Sequence, residues 1–391
     1  MRVPSWLPLL LGFLTAVGPI STDMYLPAFP AIEASLGGRP GTAQITLATW
    51  FLGLAVGQIT QGTLSDRFGR RAPLLAGTAI YTIASVGCAL APNLAMLSVM
   101  RMIAAFGGSA SMVIPRAVVR DLADGHAAAR MMSRLMLVMG VAPILAPTLG
   151  GIVLAHAGWQ AIFWIVAAYG GVCCAVVWRA LPETLPERSR VQLGPTAQLA
   201  RYSAIARERS FLSHALIGGS ALFGLFAYLG GAPDVFIAQF HLSPALFGGL
   251  FGVGAGGYII ATQFNPRLLL RFGPGPVMRA AIWTYVAATA AMLALAVAGT
   301  GWWPALALPV LVSMTCMGFT TPNATVGALS RHAAHAGSAS ALMGTMQFCL
   351  GAVSGLMVGV LSDGSARPMA GLMFAGALGA AIADQGRPAA K

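Results

Sequence analysis

Twelve apolar runs, each about as long as a bilayer is thick, constrain this chain before anything else does. They fall near 5–22, 43–61, 73–91, 95–115, 134–155 and 160–178, and again near 212–231, 245–264, 278–298, 304–325, 338–361 and 368–383. A helix of about 20 residues spans a hydrocarbon core of roughly 30 Å, so every run is long enough to cross. Hydrophobic residues make up 57% of the chain and charged ones only 9%, against about 25% charged in a soluble domain. No soluble core could hide that much apolar surface. The expected fold is an all-α membrane protein with twelve transmembrane helices in two six-helix bundles. The first bundle covers 1–179, a cytoplasmic linker 180–211 and the second bundle 212–391.

A net charge of +12 invites a nucleic-acid partner, but its placement points elsewhere. Alternating the loops leaves Arg39 and Arg367 as the only basic residues outside and puts Arg101 within a span. The other 20 of the 23 lysines and arginines collect on one side. That is the positive-inside bias, with both termini cytoplasmic. The charge is topological and leaves no nucleic-acid footprint. The linker, from Leu181-Pro182-Glu183-Thr184 through Arg201, Arg207 and Arg209, is too short for a folded domain. Part of it suits an amphipathic helix lying on anionic lipid. Cys88, Cys173, Cys174, Cys316 and Cys349 all lie in apolar runs without metal-ligand spacing, and read as small packing residues. Residues 1–22 carry Arg2 and an apolar stretch, yet they lead into Asp23 without an A-x-A site, so an uncleaved first span is expected.

A few residues do not fit a purely apolar span. Asp23, in Ile20-Ser-Thr-Asp23-Met-Tyr25-Leu-Pro27-Ala28, is followed by enough apolar residues to lie within the membrane's thickness. Ionisable groups at that depth are expensive and face a cavity; otherwise Asp23 is a carboxylate solvated near the interface. Arg101, in the fourth span, needs an anion or an aqueous cavity unless it snorkels to the surface. Asp23 is its one strong candidate partner in the amino-terminal half, and sequence leaves open whether they touch. Gly62-Thr-Leu-Ser-Asp66-Arg67-Phe-Gly69-Arg70-Arg71 cannot lie in lipid and is placed as a cytoplasmic loop. In the fifth span Pro143 and Pro147 each remove a helical donor and bend the axis. Gly140, Gly150 and Gly151 there allow close approach to a neighbouring helix. Of the later polar residues, Asp234 sits near the outer end of span 7 and is read as loop or gate ahead of proton site. Asn323 and Gln347 either line a cavity or make interhelical hydrogen bonds, worth about 0.6 kcal/mol on average.

Several of these stretches carry a resemblance. The pattern over Gly62, Asp66, Arg67, Gly69, Arg70 and Arg71 resembles motif A of the major facilitator superfamily. Asp23-Met-Tyr25-Leu-Pro-Ala resembles the first-span signature of its Bcr/CflA branch, the bicyclomycin- and chloramphenicol-type drug:proton antiporters. Arg101 matches motif B, whose arginine is associated with proton coupling. The run from Gly140 to Gly151 resembles motif C of exporters, with Ala146-Pro147 where Gly-Pro is usual. A kinked, tightly packed helix with no bearing on transport direction is the plain alternative for that run. The resemblance implies that the motif A loop latches the two halves on the cytoplasmic side. It further implies that Asp121 pairs with its arginines, and that Asp66 faces the amino end of span 11 near Ser338, where a helix dipole favours a carboxylate. The second half repeats the first in degraded form: Arg271-Phe272-Gly273 follows span 8 as Arg67-Phe68-Gly69 follows span 2, at an offset of 204 residues. Parallel repeats of this kind place the substrate site at their interface.

The function so implied is export of small amphiphilic compounds, antibiotics among them, in exchange for protons. Asp23 and Arg101 would couple the two fluxes, and Tyr25, Asn323 and Gln347 would line the cavity. The proton gradient drives the cycle without a cofactor. The expected partners are a drug-like small molecule, protons and the lipid bilayer, for a monomer in a bacterial inner membrane. Export of an endogenous metabolite, an amino acid or siderophore, is the alternative, and a channel or membrane enzyme a remoter one. Other signals fail. Gly252-Val-Gly254-Ala-Gly256-Gly257 satisfies G-x-G-x-x-G but sits mid-span with no strand before it. There is no G-x-x-x-x-G-K-[ST] for self-contained ATP drive and no H-E-x-x-H for zinc.

Overall fold

The computed structural model describes residues 6–39, 41–123, 125–190, 194–332 and 335–387. Arg2 and its neighbours lie outside the described residues. The fold is all helix, as a bilayer demands of a chain that must satisfy its own backbone hydrogen bonds.

The first span is broken. It runs as α1 (Leu7–Thr15), α2 (Val17–Asp23), a 3-10 turn (Leu26–Ala28) and α3 (Phe29–Leu36). Pro27 and Pro30 lack the N–H that a continuous helix needs, so the break falls just after Asp23. There follow α4 (Ala43–Phe68), α5 (Arg71–Ala89), α6 (Leu94–Leu122) and α7 (Gly125–Ala180). The 56 residues of α7 are about twice what one crossing takes. They make two crossings that turn at Gly158, whose φ of 77° is a left-handed conformation that glycine adopts without strain. After α8 (Pro195–Arg207) come α9 (Arg209–Ala232), α10 (Pro244–Phe272), α11 (Pro274–Val297), α12 (Trp303–Leu329), α13 (Ala336–Leu361) and α14 (Arg367–Gln385). Ten helical stretches meet the length and hydropathy of a span. The first crossing of α7 and helix α14 complete the twelve.

Within the amino half α4 and α5 pack on α6, and α1, α2 and α5 on α7. Within the carboxyl half α9 packs on α12, α13 and α14, and α10 and α11 on α12. The halves meet along two seams, α4 with α13 and α7 with α10. Small residues make both seams close: a Cβ on Gly355 would come 3.3 Å from Ala48, and one on Gly248 would come 2.9 Å from Thr148. Phe51 of α4 stacks between the halves, its ring 3.8 Å from Phe226 and 6.2 Å from Phe348. Linker helix α8 is tied to the carboxyl half, with Ile205 buried among Phe211, Ala339 and Met343.

The seam is stitched unevenly. At the outer end Gln44 Nε2 donates to the Gly230 carbonyl at 3.1 Å and to the Asp234 carboxylate at 2.8 Å. Ser362 Oγ donates to that carboxylate at 3.2 Å. Midway, Thr345 Oγ1 donates to the Ala55 carbonyl at 3.0 Å. Toward the cytoplasm the halves part around a cleft of about 290 Å³, lined by Gln58, Gly62, Asp66, Arg116 and Ser338.

One close approach fixes the broken span. The backbone carbonyl of Met24 presses so near Gly150 of α7 that a Cβ there would overlap it. Gly150→Ala is therefore expected to lower the thermal unfolding midpoint in detergent, since overpacking costs about 1–3 kcal/mol. Gly249→Ala, where a Cβ meets nothing within 4 Å, is the control. Equal midpoints for the two variants would show that the approach carries no such constraint.

Candidate functional site

Asp23 ends α2 at the break, 6% exposed. It lines a cavity of about 210 Å³ between the halves. The rest of the lining comes from the carboxyl half: Leu225, Tyr228 and Leu229 of α9, Phe251, Ala255, Tyr258 and Ile259 of α10, and Met314 and Met317 of α12. Asp23 is the one charged group among them and the one contribution of the amino half. Discontinuous spans commonly build transporter sites, because a broken helix brings polar groups into a cavity at mid-membrane depth.

Arg101 is oriented differently. It is 2% exposed, and its Nη1 donates to the Ser21 carbonyl at 2.7 Å. The last carbonyls of a helix have no partner within it, so the break in the first span supplies this acceptor. The guanidinium carbon lies 3.9 Å from the Tyr25 ring centre, 4.4 Å from Trp50 and 5.9 Å from Phe163. Three rings thus hold the cation by its faces, an arrangement worth more once water is gone. Nε and Nη2 have no hydrogen-bond partner among the described residues, and no ion pair joins Arg101 to Asp23. The two candidate coupling residues share one helix break but not a contact.

The three residues expected to line the cavity lie elsewhere. Tyr25 is spent on the Arg101 cage, with its hydroxyl 3.3 Å from Thr46 Oγ1. Asn323 exchanges side-chain amide hydrogen bonds with Asn265 at 3.0 and 3.2 Å, locking α10 to α12. Gln347, half-buried, sits beside Gly218, where a Cβ would come 3.1 Å from its Nε2. Tyr228, Phe251, Tyr258 and the two methionines escaped notice because aromatic and Met residues are scattered through every span. Pro147, Gly150 and Gly151 are buried on α7. Gly140 and Pro143 fall on the same helix, and their side chains lie outside the described set.

The cytoplasmic turn is held by charge. Gly69 closes α4 at φ 89°, and Arg70 swings its guanidinium between two carboxylates. It meets Asp66 at 2.5 Å and Asp121 at 2.7 and 3.2 Å. Glu183, from the start of the linker, accepts the backbone N–H groups of Arg70 at 2.8 Å and Arg71 at 3.2 Å. Its carboxylate leans on Gly69 so closely that any Cβ would overlap it. Arg71 Nη2 reaches the Trp178 carbonyl, and Arg67 stacks on Phe68. Among the described residues every one of these bonds stays within the amino half or its linker. Asp66 and Ser338 line the same cleft, and among the described residues no hydrogen bond or ion pair joins them. Gly62 has room to spare, its nearest neighbour being Val113 at 3.8 Å from a Cβ. Glu183 went unremarked because its partners are backbone groups, which no motif spells.

Partial burial raises the Glu183 pKa, but the N–H groups of Leu185, Arg70, Arg71 and Thr184 outweigh it and hold the carboxyl below its ordinary value. A depressed carboxylate stabilises the fold above its unfolded pKa and loses that contribution as pH falls through the folded one. Glu183→Gln is expected to unfold more readily than the parent near neutral pH. That gap should close as pH falls below the ordinary 4.5. Melting curves across pH check this, and a gap that stays constant down to strongly acid pH would contradict it.

The comparisons with known proteins agree with this fold. The chain is 34% identical over 374 residues to the uncharacterized MFS-type transporter YdgK of Bacillus subtilis, covering 94% of this chain and 92% of that protein. It is 28% identical over 361 residues to the bicyclomycin resistance protein homolog of Haemophilus influenzae, covering 92% and 90%. Its fold matches the crystal structure of a D-xylose-proton symporter with a TM-score of 0.76 at 15% identity, over 98% of this chain and 97% of that one. The Major Facilitator Superfamily model matches residues 11–356. With twelve crossings in two halves and a polar group buried between them, the chain belongs to the Major Facilitator Superfamily and is a transporter, not an enzyme.

Proposed function

We propose that this protein is a proton-coupled exporter of small amphiphilic compounds, antibiotics among them, working by alternating access in a bacterial inner membrane. The observation that carries the proposal is Asp23, the one charged group in an otherwise apolar and aromatic cavity between the halves. Such a lining suits a compound with an apolar body and a cationic or hydrogen-bonding head. The same carboxylate is the natural seat for a proton. Two ligands that compete for one carboxylate are exchanged: the drug displaces the proton on the cytoplasmic side, and a proton from outside displaces the drug. Each proton moving inward contributes about 2.3 kcal/mol per 100 mV. Relatives named for bicyclomycin resistance support a drug as cargo.

The cavity of about 210 Å³ is smaller than the roughly 300–1,000 Å³ of drug-sized pockets. Admission of a drug needs the cytoplasmic cleft to widen, and release needs the outer end to open. The second step breaks the bonds of Gln44 to Asp234 and to the Gly230 carbonyl and separates Phe51 from Phe226. It would bring Gly62 and Asp66 up to the amino end of α13, which explains the unused room at Gly62.

Asp23→Asn should abolish gradient-driven drug uptake into inverted vesicles while a neutral amphiphile still binds the detergent-purified protein. Undiminished gradient-driven uptake by that variant would refute the assignment. Gln44→Ala removes one bond to a carboxylate, worth about 1.5–3 kcal/mol, together with one to the Gly230 carbonyl, so it should shift the resting population about tenfold toward the outward-open form. Spin-label distances across the outer end, between α3 and the loop after α13, read that shift directly.

A further inference from the structure

The carboxyl half carries a pocket that the transport cycle does not use. It opens at the cytoplasmic face, holds about 990 Å³, and is lined by Arg279, Arg331, Arg387 and His214, with Trp283 beside them. Trp283 is 52% exposed, as an aromatic at the membrane–water boundary is. Arg209 joins the rim from the start of α9, its Nε donating to the Gly386 carbonyl at 3.2 Å. Two carboxylates answer these four guanidinium groups. Asp384 pairs with Arg279 at 3.2 Å and with Arg387. Glu208 pairs with Arg331 at 3.3 Å while it caps α9 through the N–H groups of Ser210 and Phe211. Among the described residues four guanidinium groups thus meet two carboxylates, and Arg387 Nε is buried with no partner there.

This basic pocket continues into an apolar groove of about 700 Å³, with Pro276 and Ala280 lining both. The groove runs between α10 and α11, with α12 as its floor, past Leu268, Phe272, Val277, Leu311 and Phe319. Its floor is the far side of α12 from the Asp23 cavity: Val312, Thr315 and Cys316 face the groove, Met314 and Met317 the cavity. The two spaces are separate. A cationic recess at headgroup depth, joined to an apolar furrow at acyl-chain depth, matches one class of molecule by charge and by polarity along its length. We propose that it is a specific site for an anionic phospholipid. The headgroup phosphate sits against Arg279 and Arg387, and an acyl chain lies along the groove. Basic pockets between spans on the cytoplasmic side hold lipid headgroups by this logic.

A lipid bound only to the folded state stabilises it by mass action, so the site is read by melting temperature. Added to the full-length protein in a neutral detergent, phosphatidylglycerol should raise the midpoint by about 4 °C or more. Phosphatidylcholine and inorganic phosphate should not. Arg279→Gln with Arg387→Gln should remove most of that rise, while Arg201→Gln on the linker helix keeps it. The double variant also strips Asp384 of its partners and will be less stable for that reason. Ala280→Trp, which fills the groove and leaves every charge in place, is therefore the second arm and should lose the rise as well. Equal stabilisation by the two lipids would overturn the proposal. So would a full rise with phosphate alone, which would mark a free-anion site, or a full rise in Ala280→Trp. A loss in Arg201→Gln as large as in the double variant would reduce the effect to general surface charge.

Discussion

A carboxylate inside a bilayer is costly wherever it cannot reach water or a partner, and the amino half is arranged around that cost. Asp23 is tolerated because the first span breaks immediately after it, at Pro27 and Pro30, and opens the carboxyl onto a cavity. The break in turn depends on Gly150, whose missing side chain lets α7 support the Met24 carbonyl. It also exposes the Ser21 carbonyl that anchors Arg101. A helix break, a buried acid, a caged cation and a glycine contact are thus one construction. The cage keeps Arg101 near the acid by geometry while its charge is spread over the faces of Tyr25, Trp50 and Phe163.

The internal repeat shows what has been kept and what has been lost between the halves. Gly69 and Gly273 end their helices with nearly the same backbone, φ 89° and ψ 173° against φ 76° and ψ 165°. The turn survives in both. The ionic network survives only in the first, where Arg70 bridges Asp66 and Asp121 and Glu183 clamps the backbone beside them. In the second, Pro274 and Pro276 start the next helix directly, and the cytoplasmic charge is gathered instead around Asp384 and Glu208. The amino half therefore has a self-contained cytoplasmic corner held by its own ion pairs. The carboxyl half has a basic recess open to the membrane surface.

Closure at the outer end rests on few bonds. Among the described residues Gln44 is the one side chain reaching from the amino half to an acid of the other, and its amide serves both Asp234 and the Gly230 carbonyl. Glu33, buried nearby, is occupied in accepting the Ala43 N–H at 2.8 Å and so shapes the start of α4. A seam of glycines, ring stacking and a handful of hydrogen bonds holds well in one position and can be taken up again in another. Helices packed through small residues behave this way in membranes, where hydrophobicity does not drive one span onto the next.

Sequence alone determined the architecture. Span length, the one-sided placement of arginines and the repeat at Arg271-Phe272-Gly273 follow from how a bilayer sorts apolar and charged residues, and that sorting is written residue by residue. It also marked Asp23, Arg101, Asp66, Arg70 and Asp121, because a charge next to apolar runs stands out. Tertiary structure alone decided which of them meet. Arg70 found both acids, whereas Arg101 turned to a carbonyl and three rings and left Asp23 facing the cavity. It also decided that Asn323 pairs with Asn265, that Glu183 grips backbone N–H groups, and that tyrosines and methionines of the other half line the cavity. Those choices depend on rotation and approach of helices about one another, which apolar surfaces of near-uniform composition leave unspecified until glycines, prolines and buried polar groups select one packing.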